Sequence, residues 1–267
     1  MTGRIAFSAD REQDGRKEIY IVEAPWEQAE RVASTDRDQP MCDWYGPSDE
    51  VLFESHAASD DQPRLYRIGA DGGDLLPLIP SDMQGAQADW SPDGSQVAFV
   101  GWLDGSQDLF VVNADGSGLQ RLASTEADEA SPDWSPDTKS LVFVSNSDGN
   151  EVIYRMEPDG SGAERLTSSP AREGEPAWSP LGGTIALVRW GEGESQIWLV
   201  SLDDATETLL VKADDVDSLA WSPDGRLLAF VADVGEESGV FILQIASGER
   251  LRLPTSTGEE RGLTWVP

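Results

Sequence analysis

The chain has 267 residues with one cysteine and one histidine, so it forms no internal disulfide and offers no ligand set for a zinc site. Asp and Glu outnumber Lys and Arg 50 to 19, and a formal charge of −31 repels phosphate backbones, which argues against nucleic acid as a partner. No apolar run approaches the roughly 18 residues of a membrane span.

The first residues, Met1-Thr2-Gly3-Arg4, lead straight into a predicted strand, Ile5-Ala6-Phe7, without the basic and apolar regions of a signal peptide. Ile19-Tyr20-Ile21-Val22 and Arg31-Val32-Ala33 are the next predicted strands. Cys42 stands two residues before Trp44 on a predicted inner strand and reads as a small buried hydrophobe.

From Trp44 onward the chain repeats itself. Trp90-Ser91-Pro92-Asp93-Gly94 returns as Trp134-Ser135-Pro136-Asp137, Trp178-Ser179-Pro180 and Trp221-Ser222-Pro223-Asp224-Gly225, with weaker copies at Trp44 and Trp265. The six tryptophans are 43–46 residues apart, the period of a propeller or solenoid unit. Proline sets φ at the second turn position, Ser and Asp bond nearby backbone, and glycine suits the fourth position of a type I turn. Each tryptophan is a bulky anchor for wedging between sheets.

After each turn comes an apolar run too continuous for a half-exposed strand, such as Val97-Ala98-Phe99-Val100 or Leu228-Ala229-Phe230-Val231. A second run follows, as in Leu109-Phe110-Val111-Val112, then an Asp-Gly turn and a short strand around Arg121-Leu122 or Arg165-Leu166. Four strands per repeat, buried on both faces, predict an all-β, six-bladed propeller of four-stranded antiparallel blades that fills residues 1–267 as a single domain. No apolar spacing of helical period competes.

Trp-Ser-Pro-Asp-Gly, an apolar-Ala-Phe strand, Ala114-Asp115-Gly116-Ser117-Gly118 and Arg121-Leu122 together resemble the propeller repeat of the TolB family, over essentially the whole chain. The match is strong from Trp90, Trp134 and Trp221, looser at Trp178 and degenerate at Trp44. The WD-repeat family has a similar period, but its Gly-His and Trp-Asp signals are missing here. The resemblance implies a six-bladed propeller of the kind that, in TolB, docks partner proteins. TolB's additional N-terminal domain and export signal have no counterpart in these residues, so its particular partners are not carried over.

Loops joining outer to inner strands, and second to third strands, are expected on one face, and that face is strongly acidic. It carries Asp36, Asp38, Asp82, Glu126, Asp128, Glu129, Glu173, Glu175, Asp214, Asp215, Asp217, Glu259 and Glu260. Glu129, Glu173 and Glu260 each stand five residues before a repeat tryptophan, which predicts one radius near the central tunnel. Such a ring could grip lysines and arginines, or hold Ca²⁺ through oxygen ligands; the plainer reading is a solvated acidic rim. Asp43, Asp89 and Asp133 directly precede three of the tryptophans and read as caps of turns or strand ends.

Trp102 and Trp190, with His56 at the equivalent place, stand at second-to-third-strand loops. There they could anchor a partner or pack over a neighbouring blade. Only three lysines occur, Lys17, Lys139 and Lys212, and the acidity fits either salt adaptation or an acidic binding face.

Enzymatic readings find little purchase. A Ser-His-Asp triad could use only His56, and no Gly-x-Ser-x-Gly elbow occurs. Prolyl-oligopeptidase relatives bring a hydrolase domain that is absent from these residues, and propeller lyases acting on oligogalacturonate rely on several histidines. The expectation is a monomeric, non-enzymatic interaction module with no cofactor. It would bind a basic protein or peptide through His56, Trp102, Trp190, Asp128, Glu129, Glu173, Glu175, Asp215, Asp217 and Glu260. A tunnel Ca²⁺ site at Glu129, Glu173 and Glu260, or a metal hydrolase of the lactonase kind, is the alternative.

Leu263-Thr264-Trp265-Val266-Pro267 reads as an inner strand whose partners open the chain, so both termini are predicted to share one blade. Deleting residues 263–267 is expected to open the ring and lower the melting temperature in a calorimetric scan; an unchanged melting temperature contradicts the closure.

Overall fold

The structure, a computed structural model, describes residues 3–11, 17–26, 28–33, 42–45, 47–56, 62–69, 73, 75–103, 105–123, 126–191, 193–254 and 260–266, with only the backbone of Ala33, Cys42 and His56. Its described residues form six four-stranded antiparallel sheets and no helix.

Counting outward from the axis, blade 1 holds β24 (Arg261–Val266), β1 (Arg4–Ala9), β2 (Glu18–Glu23) and β3 (Ala29–Ala33). Blade 2 is β4 (Cys42–Tyr45), β5 (Glu50–His56), β6 (Pro63–Gly69) and β7 (Leu76–Pro77). Blade 3 is β8 (Gly85–Trp90), β9 (Gln96–Leu103), β10 (Ser106–Asn113) and β11 (Gln120–Arg121). Blade 4 is β12 (Glu129–Trp134), β13 (Leu141–Ser145), β14 (Val152–Met156) and β15 (Glu164–Arg165). Blade 5 is β16 (Arg172–Trp178), β17 (Thr184–Trp190), β18 (Ser195–Ser201) and β19 (Glu207–Ala213). Blade 6 is β20 (Asp215–Trp221), β21 (Leu227–Val234), β22 (Glu237–Gln244) and β23 (Arg250–Arg252).

The expected closure is present: Ile5 pairs with Trp265 and Phe7 with Leu263, and the Ser8 hydroxyl donates to the Arg261 carbonyl at 2.8 Å. The ring is therefore closed by a blade built from both ends of the described chain.

The core is divided among the blade interfaces. Leu52 and Leu65 of blade 2 meet Trp90, Phe99 and Phe110 of blade 3, and Val100 and Leu109 of blade 3 meet Trp134 and Phe143 of blade 4. A tryptophan thus lies in the wedge between its own blade and the one before, backed by aromatic pairs on the two middle strands. Phe99–Phe110 and Phe230–Phe241 stack at 5.5 and 5.6 Å, Phe143–Tyr154 lies at 5.8 Å and Phe53–Tyr66 at 6.0 Å. Blade 5 departs from the pattern, with Leu187 opposite Trp198 and Arg189 stacked on that indole at 4.7 Å.

The Ser-Pro-Asp-Gly turns close as their residues dictate. Ser91 accepts the Gly94 N–H through its carbonyl at 2.8 Å, while its hydroxyl donates to Asp93 at 2.7 Å and accepts the Gln96 N–H at 3.0 Å. Hydrogen bonds from the Ser95 N–H and from the Ser91 and Ser95 hydroxyls hold the Asp93 carboxyl below its ordinary range. Gly94 and Gly225 sit at φ +68°, where a side chain is strained, yet in blade 4 the β-branched Thr138 occupies the same place at φ 61°. Thr138→Gly is therefore expected to raise stability by about 1 kcal/mol in denaturant unfolding, and a lower midpoint contradicts this account of the turn.

Candidate functional site: a tryptophan-walled cavity on the turn face

Each inner strand runs toward its tryptophan and then into the Ser-Pro-Asp-Gly turn. Three residues before the tryptophan, the strand bulges. Gln87, Ser131, Glu175, Ser218 and Gly262 all take left-handed φ between 47° and 56°, and the pairing register shifts there in blades 3, 4, 5 and 6. A bulge bends the strand and re-aims its side chains. Here the bulged residues line a single central cavity of about 730 Å³.

All six repeat tryptophans, Trp44, Trp90, Trp134, Trp178, Trp221 and Trp265, border this cavity. Pro47, Pro92, Pro180 and Pro223 of the following turns border it too, so it lies on the turn side of the ring. Sequence reasoning pointed to the opposite face, whereas this cavity lies on the turn side. No Lys, Arg or His is among the described lining residues, whereas Asp43, Asp89, Asp133 and Glu175 are.

Three of these carboxylates are latches between blades. Asp43 accepts the Trp90 N–H at 2.8 Å, Asp89 the Trp134 N–H at 2.9 Å, and Asp133 the Trp178 N–H at 2.5 Å. Asp43 also takes the Thr264 hydroxyl at 2.9 Å. Asp43 also caps locally, accepting the Trp44 N–H at 2.7 Å, and all three aspartates reach one blade onward. Bulge residues do the same, since Gln87 accepts the Ser131 N–H at 2.8 Å and the Ser218 hydroxyl accepts the Gly262 N–H at 3.1 Å.

These acids are half-buried and face the cavity. Burial, then the nearby Asp133 and Asp43 charges, pushes Asp89 well above the ordinary carboxylate range. Burial raises Asp133 from 3.8 to about 7, against the opposing Trp178 N–H bond. Glu175 rises from 4.5 to about 7 through burial and the Asp217 charge, with Arg172 opposing.

The other predicted residues lie elsewhere. Glu129, Glu173 and Glu260 are buried and do not border the cavity. Glu173 accepts Arg189 Nε at 2.7 Å and the Thr167 hydroxyl, and Glu260 lies 3.9 Å from Arg11. Among the described residues no three His, Cys, Asp or Glu side chains gather as a metal site requires. Asp128 is exposed but knits loops together, accepting the Gln107 N–H at 3.1 Å and Asn146 Nδ2 at 3.2 Å. Asp215 is exposed, and Asp217 pairs with Arg261 at 3.2 Å.

Trp102 and Trp190 are half-buried at equivalent hairpins and pack against the cores of blades 3–4 and 5–6. Trp190 lies over Gly174 and beneath Arg172, whose guanidinium is 4.6 Å from the ring centre. Both pack on the propeller while part of each side chain stays exposed. The side chains of His56 and Cys42, and all of Asp36, Asp38 and Glu259, lie outside the described residues. Among the cavity residues, sequence reasoning missed Gln87, Ser131 and Ser218. The signal was the column three places before each tryptophan, where polar or small residues recur.

A family model described as the TolB beta propeller domain matches residues 80–267. The chain belongs to the TolB propeller family. TolB from Acinetobacter baumannii shares the fold at a TM-score of 0.85 and 20% identity, over 99% of this chain and 67% of that one. A candidate TolB from Agrobacterium tumefaciens aligns at 0.73 and 19% identity, over 100% and 99% of the two chains. An oligogalacturonate lyase in complex with manganese is more distant, at 0.66 and 13%, over 94% and 73%. At such identities the likeness establishes the TolB-type fold. No curated protein matches the chain by sequence.

A carboxyl whose pKa is raised on folding stabilises the folded state at low pH, and that contribution is lost as pH climbs from about 4 to about 7. Glu175→Gln should therefore unfold at higher urea than wild type at pH 8, by about 1–3 kcal/mol, and converge with it near pH 4. A less stable variant at pH 8 contradicts the burial of this charge.

Proposed function

We propose that this TolB-family propeller is a non-enzymatic interaction module that receives a basic protein segment or peptide in the cavity on its turn face. The observation that carries the reading is the cavity itself, walled by six indoles, rimmed by prolines and supplied with carboxylates but no basic side chain among its described residues. Indoles and carboxylates together suit lysine and arginine, through ring-face attraction and charge-assisted hydrogen bonds. A chain of charge −31 adds long-range attraction for such a partner.

Catalysis has less support. Asp89 and Asp133 are each occupied by a backbone N–H of the next blade, and no histidine stands among the described lining residues.

The test is capture of the partner at low and high salt, followed by covalent footprinting of the complex. Capture should weaken as salt rises. Protection should fall on Tyr45, Pro92, Pro180 and Pro223. Salt-independent capture, or protection confined to Trp102, Trp190 and Asp128, overturns the reading.

A further inference from the structure

The six repeats act as internal controls: where quasi-equivalent positions differ without benefit to the fold, another requirement has set the residue. Two such departures fall in blade 5: one borders the cavity, and the other directly follows Pro180, which does.

The first is Glu175. At the same bulge, Gln87 and Ser218 use their side chains to hold the next blade's N–H. Glu175, at the same left-handed φ, makes no hydrogen bond or ion pair with any described residue, and it borders the cavity. The charges around it are Asp217 and Arg172. Asp217 adds like charge beside Glu175, and the one cation, Arg172, is already bound to Glu151 and stacked on Trp190.

The second is Leu181. It stands where Asp93, Asp137 and Asp224 accept a serine hydroxyl to close their turns. Leu181 forgoes that bond and is 73% exposed, against 37–42% for the other exposed large hydrophobics described. It rests on the blade 6 turn, where a Cβ built on Gly225 would lie 2.7 Å from Leu181 Cγ. Losing a turn cap and exposing a leucine both work against the isolated fold.

We propose that blade 5 reads the partner: Glu175 receives one lysine or arginine side chain inside the cavity, and Leu181 receives an apolar side chain at its mouth. The inference rests on the proposed function and specifies its ligand. Glu175 is singled out among the four cavity acids because Asp43, Asp89 and Asp133 already hold backbone N–H groups. Three residues of strand separate Glu175 from Trp178, about 10 Å, with the turn beyond. An extended segment then places its basic and apolar residues roughly three to five positions apart.

The repeats also supply fold-compatible variants. Glu175→Gln installs the residue that blade 3 uses at this bulge, and Leu181→Asp installs the residue of three sister turns. A displayed library of random dodecapeptides would be selected on wild type and on both variants, with melting temperatures measured alongside. Wild type should enrich a Lys or Arg spaced from an apolar residue. The synthetic peptide should bind Glu175→Gln about 10-fold more weakly, and that loss should vanish when its basic residue is replaced by norleucine. Leu181→Asp should weaken binding about 5-fold while melting no lower than wild type.

Equal binding by all three proteins overturns the inference; if the peptide still footprints on the turn face, the proposed function survives alone. Enrichment without a basic residue overturns the role of Glu175. Selected peptides that protect the opposite face, or a second copy of the chain as the occupant, overturn both readings, as does a selection that yields no binder to wild type.

Discussion

Each blade must bury both faces against its neighbours, and the tryptophan at the end of the inner strand is the wedge that makes this possible. A four-stranded sheet covered on one side only would leave runs such as Val97–Val100 half wet. The indole fills the gap where adjacent blades diverge from the axis, and in three blades the aspartate before it grips the next tryptophan's N–H. One short stretch therefore packs the interface, fixes the angle between blades and leads into the turn that returns the chain.

The same stretch builds the cavity. Six wedges on one circle enclose a space, and the left-handed bulges three residues earlier aim side chains into it. Strain of that kind costs about 1–3 kcal/mol per residue and persists where the surroundings hold it. Here the preceding blade's side chains supply the grip, Gln87 on Ser131 and Ser218 on Gly262. Folding and the candidate site draw on the same residues, so the departures from the repeat carry more information than the repeat does.

Much of the architecture was legible in the residues. The tryptophan period gave the blade number, the continuous apolar runs gave the doubly covered strands, and the incomplete first and last repeats gave the shared blade. The candidate site was read less well, for physical reasons. Glu129, Glu173 and Glu260 share one position, but position alone does not reveal that Arg189 or Arg11 lies beside the carboxylate. Arg189 comes from the neighbouring strand and Arg11 from the segment after β1, so only the folded arrangement pairs them. Likewise Gln87, Ser131 and Glu175 carry no mark of a left-handed backbone, which glycine or asparagine would have signalled. Trp102 and Trp190 were placed correctly at hairpin mouths, yet Gly174 leaves room for Trp190 to lie flat on its own blade.

The central claim is that one ring of indoles both locks the blades and meets the partner. The most direct measurement is ¹⁹F NMR of the protein labelled with 5-fluorotryptophan, free and saturated with its captured partner, with resonances assigned by single Trp→Phe substitutions. The account predicts that signals among Trp44, Trp90, Trp134, Trp178, Trp221 and Trp265 shift while those of Trp26, Trp102, Trp190 and Trp198 stay in place. Shifts confined to Trp102 and Trp190 would contradict it.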